Sequence, residues 1–292
     1  MRYLLLILLA VATLFPSTAR AYDVLVLMSR RVPVLEEVLK GFQGDRRFSS
    51  RVVVLSDYTQ VDVPRIVREE SPRLILTVGD GALAAARAVR STPVLSVMAL
   101  TLEITGVRQP NLTGISMFVP PKQFIPLFKE MKAHRVGVVH DPTKCGRYLQ
   151  QASQEARRAG IELVVRDVAS SQETQAQLAS LKGKVDALWM WPDTTAVTRN
   201  TVDAYANFSL EEQVPLVSFS GEYLKFGAAA AQVIDYPELG RQANELARKI
   251  LNGAVTDEQS VVPPHHVTLK TNSTVIKRFG FSEGRLSQSG TE

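Results

Sequence analysis

Two doubly wound, parallel-sheet α/β lobes joined by crossovers are the fold class that this 292-residue sequence predicts. Short Val/Ile/Leu runs alternate with amphipathic helical segments almost without interruption, the pattern of parallel sheets covered on both faces. The alternation breaks once, at Phe118-Val119-Pro120-Pro121, and then restarts. The chain also exceeds the roughly 250 residues at which a single core stops growing. Two series, one break and that length predict two lobes.

The first series places strands at Asp23–Met28, Val52–Ser56, Leu74–Val78, Val94–Met98 and Gly114–Met117. Helices fall between them near Val34–Phe42, Val63–Glu70 and Gly81–Val89. Two prolines end regular structure at the join, and an amphipathic helix with Phe124, Leu127, Phe128 and Met131 follows. The second series has strands at Arg135–His140, Glu162–Asp167, Ala187–Trp191, Leu216–Phe219 and Ala229–Ile234. Its helices lie near Lys144–Ala159, Gln172–Leu181 and Thr195–Glu211.

The last of these strands meets a helix through Asp235-Tyr236-Pro237. Asp235 or Tyr236 stands at the N-cap, and Pro237 takes the first turn, where a missing N–H costs nothing. Leu239, Ala243, Leu246, Ala247, Ile250 and Leu251 form one apolar stripe, closed by Asn252-Gly253. The polar, proline-containing stretch Val255 to Pro264 reads as a return crossing before a last strand at His266–Lys270. The expected division is therefore residues 22–117 with the helix at about 236–253 in one lobe. Residues 118–235 with the C-terminal segment at about 254–292 form the other.

Ahead of both lobes, Leu4 to Phe15 is an apolar core too short to span a bilayer, followed by the small-x-small site Ala19-Arg20-Ala21. Residues 1–21 are expected to be a signal peptide cleaved near Ala21, which exports a soluble periplasmic protein. Their loss removes Arg2 and Arg20 and takes the formal charge from +5 to +3. The remaining basic residues are scattered pairs rather than a stripe with stacking aromatics, which argues against a nucleic-acid partner. The single cysteine, Cys145, excludes an internal disulfide. It stands at a helix start, where a dipole lowers a thiol pKa, or serves as a small buried apolar residue.

No catalytic signature stands out, and no cofactor or metal is expected. Gly79-Asp80-Gly81-Ala82 follows a strand and opens a helix without nucleotide-loop spacing, so it reads as a tight turn beside a ligand. His265 and His266 point to opposite faces of a strand and cannot share an ion. Trp189 and Trp191 share one face. At Trp191 two roles are open, stacking on a flat ligand and packing under a helix; at Trp189 packing is favoured.

In open α/β sheets the ligand crevice lies outside the carboxyl ends of the strands. That rule gathers Ser29, Arg30, Gly79, Asp80, Met98, Ala99 and Ser116 from the first lobe. From the second it gathers His140, Asp141, Trp191, Asp193, Thr194, Ser218 and Ser220, with Asp235 at a crossing. Hydroxyls, amides or Arg30 at a carboxylate, and an aspartate at an ammonium, suit a small zwitterion.

Several segments resemble one family. Gly227 to Gln242 is similar to its G-A-L-A…D-Y…L-G-R-Q segment, and Asn111-Leu112-Thr113-Gly114-Ile115-Ser116 to its N-x-T-G-x-S. Ala133 to Pro142 resembles its A-K-R-V-G-V-x-Y-x-P strand, and Val185-Asp186-Ala187-Leu188 its V-D-A-L/I-Y. These are motifs of substrate-binding proteins of ABC transporters with the type I periplasmic-binding-protein fold, some of which bind tryptophan or tyrosine. The resemblance implies a non-catalytic monomer that captures a small solute, an amino acid or aromatic compound, and delivers it to a membrane permease. An orphan sensor of the same fold, acting in signalling without a permease, is the alternative. One departure matters: Met98-Ala99-Leu100-Thr101-Leu102-Glu103 stands where the family has D-P-V, so a ligand-facing Asp is missing there.

Overall fold

The computed structural model describes residues 22–45, 48–104, 109–253 and 261–281. The expected signal peptide and part of the return crossing lie outside these residues. The first sheet opens with β1 (Val24–Met28), β2 (Ser50–Val54), β3 (Leu74–Val78), β4 (Val94–Val97) and β5 (Leu112–Ile115). The second contains β6 (Arg135–His140), β7 (Glu162–Asp167), β8 (Ala187–Trp189), β9 (Leu216–Ser218) and β10 (Ala230–Ile234). The returning chain adds β11 (Val261–Val262) to the first sheet and β12 (Val267–Thr271) to the second.

The orders are β11-β5-β4-β3-β1-β2 and β12-β10-β9-β8-β6-β7. All pairings are parallel except β10 with β12. Every residue of β1 and β3 is buried, as a strand covered on both faces requires. In each sheet the order reverses beside its first strand, between β1 and β3 and between β6 and β8. These are topological switch points, where connections leave for opposite faces and open a crevice.

The helices of the first lobe are α1 (Pro33–Gln43), α2 (Val63–Glu70), α3 (Asp80–Ala86) and α4 (Thr101–Ile104). The second lobe carries α5 (Ile125–Glu130), α6 (Pro142–Arg158), α7 (Thr174–Ala179) and α8 (Val202–Glu211). Then come α9 (Tyr236–Leu251) and α10 (Ser273–Arg278). Asp235 is the N-cap of α9, its Oδ1 accepting the Glu238 N–H at 2.9 Å.

Some expectations shift. β8 stops at Trp189, so Trp191 follows the strand rather than ending it. The helix expected from Thr195 begins at Val202, because Asp193 and Thr201 side chains hold the intervening turns. Val261–Val262 was expected with the second lobe but pairs with Gly114–Ile115, and the Val262 carbonyl accepts the Ser116 N–H at 2.8 Å. The short α4 and the C-terminal α10 had no sequence expectation.

The chain passes between sheets three times, at 116–124, at Asp235 and at 263–266. Glutamines tie these passages. Gln232 Nε2 donates to the Gln123 carbonyl at 2.9 Å. Gln242 donates to the Pro263 carbonyl at 2.9 Å and accepts the His265 N–H at 3.0 Å. After the second passage α9 lies on α1 with glycine facing glycine. A Cβ on Gly240 would stand 2.1 Å from the Val38 carbonyl oxygen, and one on Gly41 2.1 Å from that of Pro237. Neither neighbour is a movable side-chain tip. Gly240→Ala is therefore expected to destabilise the fold by about 1–3 kcal/mol or more, read as a lowered urea midpoint. An unchanged midpoint would show that the two helices separate freely.

Candidate functional site

The carboxyl ends of both sheets lie on the side where the lobes meet, for α4 follows β4, α6 follows β6, and these two helices pack together. At the first switch point, Gly79 has φ +95° and precedes α3. A Cβ there would meet Ser29 Oγ at 2.6 Å, so glycine is needed for close approach as well as for backbone conformation. Ser29 Oγ accepts the Ala82 N–H at 2.8 Å. Asp80 Oδ1 accepts the Thr101 N–H at 2.8 Å and its hydroxyl at 2.6 Å, joining α3 to α4. Thr101 was not foreseen; it lies inside the Met98–Glu103 segment that stands where the family has D-P-V. Met98 has φ +58° and is half-buried, Ala99 is buried, and Arg30 is exposed.

The second switch point is built alike but more deeply. Asp193, 1% exposed, accepts the Asp141 N–H at 2.6 Å, the Thr195 and Ala196 N–H groups at 2.7 and 3.1 Å, and the Cys145 thiol at 3.4 Å. Asp141 caps α6 through Thr143 and takes the Thr195 hydroxyl at 2.8 Å. Burial pushes the Asp141 carboxyl up, but hydrogen bonds from Thr143 and Thr195 outweigh it and hold the group below its ordinary value of 3.8. Burial, then the Asp193 charge, push the Cys145 thiol far up. The packed reading of that cysteine therefore holds, and the activated one does not. Thr194 is exposed and accepts from Lys144 Nζ at 2.7 Å.

Trp191 is packed beneath α6, its ring 4.9 Å from Tyr148, 5.4 Å from Trp189 and 5.5 Å from His140. Trp189 sits deeper, against Phe124 and Phe128. Both indole N–H groups, and both ring nitrogens of fully buried His140, lack a hydrogen-bond partner among the described residues. His140 Nε2 does lie 3.3 Å from Asp167 Oδ1, near enough for attraction without hydrogen-bond geometry. His140 and Trp191 thus form a buried polar–aromatic pair at the switch point. A buried unpaired donor is costly, and such groups in native proteins call for a functional or solvent partner.

The other expected residues lie apart from these two clusters. Ser116 Oγ accepts the Phe118 N–H at 2.9 Å at the first passage. The Ser218 hydroxyl donates to the Ser220 carbonyl, while Ser220 Oγ accepts the Glu222 N–H. Two larger hollows, of about 380 Å³ between α1 and α9 and about 360 Å³ beside β2 and α2, lie on outer faces away from the switch points. Among the described residues no group of three or more His, Cys, Asp or Glu is placed to hold a metal ion. No described helix is long and apolar enough to cross a membrane.

Because Asp193 serves four donors, Asp193→Ala is expected to cost about 2–4 kcal/mol of stability, measured by urea unfolding. Asp141 adds a pH signature. A carboxyl lowered in the folded state stabilises fully above its unfolded value, and that contribution is lost as pH falls through the folded one. Stability should therefore fall as pH drops through and below the ordinary carboxylate value of 3.8, and Asp141→Asn should flatten the drop. An equally steep drop in the variant would assign the acid sensitivity elsewhere.

Comparison with known proteins agrees with this architecture. A tyrosine-binding protein of Clostridioides difficile (strain R20291) is 25% identical over 171 residues, which are 57% of this chain and 49% of that protein. The chain thus spans about half the length of this curated relative. Among solved structures, a ligand-free, open substrate binding protein with adhesive properties from Clostridium difficile superposes with a TM-score of 0.68 at 21% identity, covering 90% of this chain and 96% of the other. An ABC domain from Streptococcus pneumonia in complex with L-Trp gives 0.62 at 20% identity, with coverage of 90% and 96%. The profile described as "ABC transporter substrate binding protein" matches residues 56–284. Two lobes meeting at their switch points and a profile spanning most of both place the chain in the ABC transporter substrate-binding protein family.

Proposed function

We propose that this chain, exported to the periplasm, captures a small solute between its lobes and hands it to the permease of an ABC transporter. The observation that carries the reading is the paired switch points: each is pinned by its own hydrogen bonds, and α4 on α6 joins them. Affinity then comes from enclosure, and closure follows from contacts made only in the shut arrangement.

An amino acid or aromatic compound is the solute class we favour. Trp191 and His140 lie buried beside the second switch point with hydrogen-bonding groups that have no partner among the described residues, and similar proteins include a tyrosine-binding protein and one solved in complex with L-Trp. Asp80, Asp141, Asp193 and Asp235 spend their carboxylates on threonine and backbone donors. An ammonium therefore has less to meet at the strand ends than the list of acids suggests.

Mass spectrometry of the purified protein under native conditions identifies what it retains. With that solute, X-ray scattering should show a more compact particle, and Trp191→Ala should weaken calorimetric affinity by roughly thirtyfold, as for a buried aromatic anchor. An unaltered scattering profile together with unaltered affinity in the variant would refute capture at this position.

A further inference from the structure

A different hollow, of about 220 Å³, lies where the first and third passages run beside α4 and α6. We propose that it is a binding site for a small organic cation, a quaternary or alkyl ammonium, argued from its own lining rather than from the solute reading above. Three features of its lining select that chemistry.

The first is a carboxylate with no partner among the described residues. Glu103 of α4 is half-buried, and among the described residues no hydrogen bond or ion pair engages its side chain. It is near enough to the buried Tyr148 hydroxyl for its charge to oppose ionisation there, after burial and Cys145. The second is an aromatic wall: the Phe118 and Tyr148 rings stand 4.8 Å apart at 49°, both buried. Ring faces beside an anionic oxygen attract a cation and suit alkylated ammonium, whose charge is spread over apolar carbons.

The third is a shortage of donors. The Tyr148 hydroxyl is spent on the Val119 carbonyl at 2.8 Å, and Ser116 Oγ is engaged by Phe118. Pro120 and Pro263 have no N–H to offer. Gln151 is the remaining side-chain donor, and its amide also presents an acceptor. An anion would find one side-chain donor; a cation finds a carboxylate, an amide oxygen and two rings. The hollow is smaller than the 300 Å³ or more of drug-sized sites, and so fits an ammonium of a few carbons.

The position has a consequence for lobe movement. Glu103 belongs to the first lobe, Tyr148 to the second, and Phe118 to a passage between them. A cation bound to all three favours whichever lobe angle keeps them together, and solute affinity shifts reciprocally.

Saturation-transfer NMR with tetramethylammonium tests the site without any solute. Signal is expected for tetramethylammonium, with little for tert-butanol, an uncharged molecule with the same number of heavy atoms. Glu103→Gln should weaken tetramethylammonium binding by at least about tenfold while leaving the melting temperature unchanged. Gln151→Lys, which sets a competing ammonium on α6, should abolish it. Equal signals from the two probes, no saturable tetramethylammonium signal, or full binding by a folded Glu103→Gln protein would each overturn the proposal. Should Glu103→Gln fail to fold, the probe comparison on the unaltered chain still decides.

Discussion

The backbone contact between α1 and α9 is the constraint on which the relation of the lobes depends. The chain leaves the first sheet after β5, completes five strands elsewhere, and must return. It returns as a helix whose Gly240 lies against the Val38 and Phe42 backbone, while Gly41 meets the Pro237 backbone in return. Such intimacy is available only where side chains are absent on both partners. It lets a helix entered from the second lobe become a covering layer of the first. The Asp235 cap fixes where that helix starts, and Gln242 on the same helix fixes where the third passage leaves. Two of the three passages are thus referred to one rigid body, α9, and the angle between lobes is set by what the first passage and α9 permit together.

Both switch points use one device: a short polar side chain reaches from one strand end to the backbone beside its neighbour. Ser29 does this from β1, and Asp193 from beyond β8 to Asp141 after β6. The groups that line the crevice are therefore also the groups that hold it open. Asp193 shows the tension most plainly, since four donors converge on one carboxylate that is almost wholly buried. Residues of this kind preorganise a site without being free to bind in it.

Much of the architecture was legible in the sequence because continuous apolar strands and helix caps are local signals. β1, β3, β6 and α9 follow from runs of Val, Leu and Ile and from the Asp-Tyr-Pro corner. What escaped was set by contacts distant in sequence. β11 is two residues long, and its place rests on Gly114–Ile115, nearly 150 residues earlier. The turns from Thr195 to Thr201 read as helix, yet side-chain hydrogen bonds compete there and win. At the candidate site the strand-end rule pointed to the ends of the sheets that face the junction of the lobes. It could not say which polar groups the backbone had already claimed, nor that Glu103 would find no partner among the described residues.

Both of the chain's tryptophans lie in the second lobe, packed edge to face at 5.4 Å. Intrinsic indole emission is therefore a one-lobe signal. It follows the melting of the second sheet and is silent for the first, whose aromatic residues are phenylalanine and tyrosine. If the lobes unfold in separate steps, heat capacity will record both and indole emission only one. Their disagreement would then measure how strongly the glycine contact between α1 and α9 makes the two halves one cooperative unit.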